Sequence, residues 1–206
     1  MNEKTIRRPT GSAVLFLISA FSYFCTLANT VLLTQLIDYP KEMPVSGVFK
    51  IIILGATNLF MSIILFSKKY NNMLIVGSGV LLIPSIFTLF LNISPYIISE
   101  IIFYLVLFAF TYIMIKMPGT PIREKAVKFR FIIPALQFAL ILISTIQTTQ
   151  RLYENLTETM GTFPDAAVSA AITLVPSILG AITSFLPVLC YVWLANWMAN
   201  PYEKQT

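Results

Sequence analysis

The chain has 206 residues, 57% of them hydrophobic and only 11% charged, with a mean hydropathy of +0.80 and a formal net charge of +5. A soluble domain covers itself with roughly a quarter charged residues, so a soluble enzyme, a nucleic-acid-binding domain and a disordered tail are excluded. The absence of histidine further removes His-based metal sites, imidazole proton relays and the common Ser-His-Asp and Cys-His nucleophile systems. The two cysteines, Cys25 and Cys190, lie inside apolar runs and read as buried thiols rather than a disulfide.

About 20 apolar residues cross a hydrocarbon core. Six spans are therefore predicted, at 11–37, 48–67, 72–93, 96–116, 130–148 and 166–198, in a single all-α membrane domain covering 1–206. The first run is too long for a cleavable signal peptide, lacks a small-residue cleavage pattern and carries Ser, Thr and Asn throughout. Turn chemistry divides the spans: Tyr39-Pro40 with Pro44 and Gly47, then Lys68 to Asn72, Ser94-Pro95, Pro118-Gly119-Thr120-Pro121, and Gly161 with Pro164. The sixth run, about 33 residues, would make a helix near 50 Å long against a core of about 30 Å. Pro176 and Pro187 lie inside it. The expectation is a long helix kinked at a proline, the alternative being two half-helices around a cavity.

Charge sets the expected orientation. With a cytoplasmic N-terminus, the inside holds Lys4, Arg7, Arg8, Lys68, Lys69, Lys116, Arg123, Lys125, Lys128, Arg130 and Lys204. The outside keeps Lys41, Lys50 and Arg151. This is a strong positive-inside bias, and six crossings return the C-terminus to the cytoplasm. Trp193 and Trp197 then fall near the inner end of the last span, as in an aromatic belt. The expected location is a bacterial cytoplasmic membrane with both termini inside.

Polar residues within the spans follow helical faces. Ser19, Ser22, Thr26 and Asn29 share one face of the first span, and Gly55, Asn58 and Ser62 one face of the second. The third offers Ser78, Ser85, Thr88 and Asn92, and the fifth Gln137, Ser144 and Thr148. In the sixth, Ala167, Ala171, Ser177, Gly180 and Ser184 belong to a small-residue stripe suited to helix packing or to a partner interface. Two readings stand side by side: packing between helices, or a polar cavity lined by Asn29, Asn58, Asn92 and Gln137. Leu82 to Ile86 resembles Leu174 to Ile178, as a 3+3 inverted repeat would require, but five common residue types are weak grounds for one.

Glu100 is the one ionisable residue clearly inside a span. Intramembrane carboxylates are costly and raise a functional hypothesis. Glu100 either reaches the head-group level and stays solvated, or is held inside by Lys50 or Arg151 as part of a site. Tyr104, four residues on, shares its face.

No paired intramembrane carboxylates, phosphate loop or nucleophile elbow appears, so neither enzymatic activity nor a cofactor or metal is expected. The basic segment 116–130 reads as an inner-surface loop contacting anionic lipid, or as a docking site for a cytoplasmic partner. Asn155-Leu156-Thr157 matches a glycosylation sequon in an outer loop. Three functional expectations remain. The first is a transport or solute-binding component with a polar site toward the outer half, an analogy from architecture to small substrate-binding subunits of transporters. The second is a non-catalytic accessory, assembly or immunity-type protein that binds another membrane protein. The third is a lipid-modifying enzyme using Glu100 and Tyr104.

The topology is testable by labelling on a background lacking Cys25 and Cys190. A membrane-impermeant thiol reagent added outside should modify Leu156→Cys and miss Ala126→Cys; the reverse pattern overturns the orientation.

Overall fold

The computed structural model describes residues 9–36, 45–67, 71–91, 95–159 and 166–200, with side chains for 9–32, 47–67, 72–90, 97–150 and 175–200. These residues form eight helices: α1 (Thr10–Leu36), α2 (Val45–Ser67), α3 (Asn71–Val80), α4 (Leu82–Leu91), α5 (Pro95–Lys116), α6 (Pro121–Phe129), α7 (Ile132–Thr159) and α8 (Ala166–Ala199). No strand occurs among them. Six segments are long and apolar enough to cross a membrane: Thr10–Leu32, Gly47–Ser67, Asn72–Phe90, Ile97–Lys116, Pro121–Gln150 and Val175–Ala199.

The helices close into a ring. α1 packs on α2, α2 on α3 and α4, these on α5, α5 on α7, α7 on α8, and α8 back on α1, while α5 also touches α8 across the middle. The core is built from Phe16, Leu54, Met61, Leu107, Tyr191 and Leu194, all buried. Large apolar side chains such as Phe21, Ile63 and Phe90 point outward, where lipid rather than water is the favourable neighbour. Close helix approach needs small residues. A Cβ on Gly77 would collide with Met61 Sδ, so the missing side chain leaves room for Met61 between α2 and α3.

Hydroxyls inside the bundle mostly donate to their own helix. Thr26 donates to the Ser22 carbonyl, Thr111 to Leu107 and Thr145 to Ile141, each at 2.8–2.9 Å. This satisfies them without a partner helix. Ser62 is different: its Oγ donates 2.8 Å to the Ala13 carbonyl and ties α2 to α1.

Where the backbone breaks differs from expectation. The third span is interrupted at Leu81, between α3 and α4. Gly77 and Gly79 weaken the helix just before the turn, and Pro84 cannot donate to the Val80 carbonyl. The sixth span is not divided into half-helices, since α8 runs unbroken through Pro176 and Pro187. The two similar pentapeptides are both helical, one opening α4 after the break at Leu81 and the other inside the continuous α8. The basic segment is also not a plain loop. Gly119, at φ +75°, turns the chain after α5. Thr120 then caps α6, its Oγ accepting from the Arg123 N–H at 3.4 Å, with Pro121 in the first turn. Likewise the sequon at Asn155 lies within α7 rather than in a loop.

At Pro187 the continuous helix has local support. Pro187 lacks the N–H that would bond the Thr183 carbonyl four residues back. That freed carbonyl accepts instead from the Tyr23 hydroxyl of α1, at 3.3 Å. A neighbouring helix thus replaces the lost backbone bond, as buried helix prolines require.

Tyr23→Phe should therefore lower the melting temperature of the detergent-solubilised protein, by about 1–3 kcal/mol of stability for a buried unsatisfied carbonyl. Pro187→Ala restores an intrahelical donor, so the same Tyr23 change should cost less in that background; equal losses in both backgrounds would refute the link.

Candidate functional site

A half-open cavity of about 160 Å³ is walled by α1, α2, α5, α7 and α8. Its chemistry is concentrated in few side chains. Lys50 of α2 and Glu100 of α5 meet at its wall, Nζ to Oε2 at 2.6 Å, with the two side chains 24% and 12% exposed. Both lie five residues into their helices, so the pair sits about 8 Å from the helix ends at Val45 and Pro95. Glu100 is thus paired, and with Lys50; the side chain of Arg151 lies outside the described residues.

Beside the ion pair stand two tyrosines, Tyr104, 3% exposed, and Tyr23, both on the cavity wall. The Tyr23 hydroxyl donates to the Thr183 carbonyl. Phe103 packs edge-on against Tyr104, ring centroids 5.3 Å apart, and against Tyr191 at 5.6 Å, which fixes this wall.

Gln137 of α7 completes the lining. It is 5% exposed and makes no hydrogen bond to any described residue. A buried amide offers two donors and an acceptor, and leaving them unused costs free energy. Facing a cavity, they are available to water or to a solute.

A second hollow, about 420 Å³, lies between α7 and α8. Ser144, Thr145, Thr148, Thr149 and Ser177 contribute to its wall, and it shares Ile141 and Ser184 with the central cavity. At Gly180, also on this wall, an added Cβ would meet nothing within 4 Å. The small-residue stripe of α8 is therefore not filled by α7 at this level.

Of the residues singled out from sequence, the structure gathers Glu100, Lys50, Tyr104, Gln137 and Ser184 around one cavity. Ser177 and Gly180 line the adjoining groove. Asn58 is buried but donates 2.7 Å to the Leu54 carbonyl of its own helix, and neither it nor Asn29 lines the cavity. Asn92, like the side chains of Ala167 and Ala171, falls outside the described residues. Sequence reasoning passed over Tyr23, Thr183 and Phe103. One signal was present: Pro187 marks Thr183 as the owner of a free carbonyl, and Tyr23 extends the Ser19 face of α1 by one turn. Among the described residues no three metal-ligating side chains converge.

The fold and its apolar faces define an all-helical polytopic membrane protein. Comparison of the chain with protein-family models, curated proteins and solved structures gives no match.

The ion pair should behave as partly buried. Exposed pairs contribute below about 1 kcal/mol, and breaking a fully buried pair costs about 3–5 kcal/mol. A double-mutant cycle of Glu100→Gln and Lys50→Met, read by melting in detergent, should give a coupling of about 1–3 kcal/mol; additive effects would show the contact to be energetically idle.

Proposed function

We propose that this protein is a transport or solute-binding component of its membrane, with the central cavity as the solute site. The observation that carries this reading is a charged pair and an amide with no partner among the described residues, lining one cavity. Packing alone gives no reason to leave Gln137 without a partner among the described residues, since an apolar side chain would fill its place at lower cost. Binding sites do require such groups, because a few convergent polar contacts in an apolar wall give orientation and specificity.

The positive-inside reading puts both termini in the cytoplasm. Lys116, Arg123, Lys125, Lys128 and Arg130 cluster around the α5–α6–α7 connection, and Lys50 with Glu100 lies toward the other end of the bundle. On this orientation the ion pair belongs to the outer half. α6 then lies along the inner surface, its basic residues toward anionic head groups and Ile122 and Phe129 toward the acyl boundary. The groove between α7 and α8 serves as the approach to the cavity, and a bend of α8 at Pro187 would widen it.

A second reading draws on the same groove. The open space at Gly180 could seat a small-residue face of another membrane protein, as an accessory or assembly subunit would require. Co-purification of a stoichiometric partner, with no response to any solute, would favour it.

The test is a thermal-stability screen of the purified protein against small polar solutes. A true ligand at a hundredfold excess over its Kd should stabilise by about 2.7 kcal/mol. Gln137→Leu should remove that response while melting no lower than wild type without solute. A solute response that survives in Gln137→Leu would place binding elsewhere.

A further inference from the structure

We infer that the solute is a small zwitterion, an α-amino acid with a very short side chain or a compound of that size and charge pattern. The inference rests on the solute-binding reading and deepens it. The cavity wall carries one fixed cation, Lys50, and one fixed anion, Glu100, in contact with each other. The site is electrically neutral but strongly dipolar.

That charge pattern selects among ligands. A lone anion or cation would bring an uncompensated charge into an apolar bundle, which is costly beyond what a single contact returns. A zwitterion adds no net charge. Its carboxylate can take the ammonium protons that Lys50 does not spend on Glu100, and its ammonium can donate to Glu100 Oε1, which no described residue contacts. The ion pair need not open; it is extended into a ring of four alternating charges. Each new contact is charge-assisted, hence roughly twice as strong as one between neutral groups. A neutral polar solute would gain the Gln137 amide but forfeit this advantage.

Volume favours the small end. At about 160 Å³ the cavity accommodates glycine or alanine, whereas a large side chain would have to reach into the adjoining groove between α7 and α8. Phe103 and Ile141 on the wall suit a short apolar side chain.

The experiment is titration calorimetry on the intact, detergent-solubilised protein with glycine, L-alanine, L-phenylalanine, acetate, methylammonium and acetamide as probes. Saturable binding of glycine or alanine, with none of the other four reaching a tenth of that affinity, is the expected result. Glu100→Gln and Lys50→Gln should each weaken it at least about tenfold, the loss expected for a hydrogen bond to a charged group. Should either variant fail to fold, the wild-type panel still decides. Tighter binding of acetate, methylammonium or acetamide overturns the zwitterion while leaving a solute site in place. Undiminished glycine binding in both variants also overturns it. If no probe binds, and the wider solute screen is silent as well, both this inference and the solute-binding reading fall.

Discussion

Inside an apolar bundle a charge is stable only beside its opposite, and the contact between Lys50 and Glu100 meets that condition across two helices that are far apart in sequence. It holds α2 and α5 at one height, and with them the cavity between. The rest of the polar interior follows the same constraint in weaker form. Most hydroxyls return their proton to a carbonyl of their own helix, which satisfies them at small cost and commits no partner helix. Ser62 to Ala13 and Tyr23 to Thr183 instead cross between helices and tie the bundle together.

Proline has two opposite consequences in this fold. Pro84 follows a glycine-weakened turn, and there the helix breaks at Leu81. Pro187 sits where a tyrosine from α1 can take the freed carbonyl, and there the helix continues. The missing backbone donor is the same in both. At Pro187 a neighbouring helix supplies the substitute, which is a property of packing and not of the residue.

The site gains its character from polar groups left unspent. The Gln137 amide faces a cavity with no hydrogen-bond partner among the described residues, and Lys50 and Glu100 use only one contact between them. Elsewhere in the interior, a comparable amide on Asn58 is satisfied locally by Leu54. The difference between the two amides separates a packing residue from a candidate binding residue. It also explains why a list of polar residues on helical faces included both.

Composition and hydropathy alone determined that the chain is helical and crosses a membrane several times, because apolar runs near 20 residues have few other stable conformations in lipid. The rarity of charge in the spans was enough to single out Glu100, and the small number of available cations to name Lys50 beside Arg151. Helical periodicity brought Tyr104 onto the same face as Glu100 and Gln137 onto a polar one. Tertiary structure alone decided which cation Glu100 meets, since spacing within one helix says nothing about the height or rotation of another. It also decided that Asn29 and Asn58 stay out of the cavity while Tyr23 and Thr183 enter it. The reason is physical: a face is a property of one helix, whereas a site requires the faces of several helices to converge, and that convergence depends on packing across the whole ring.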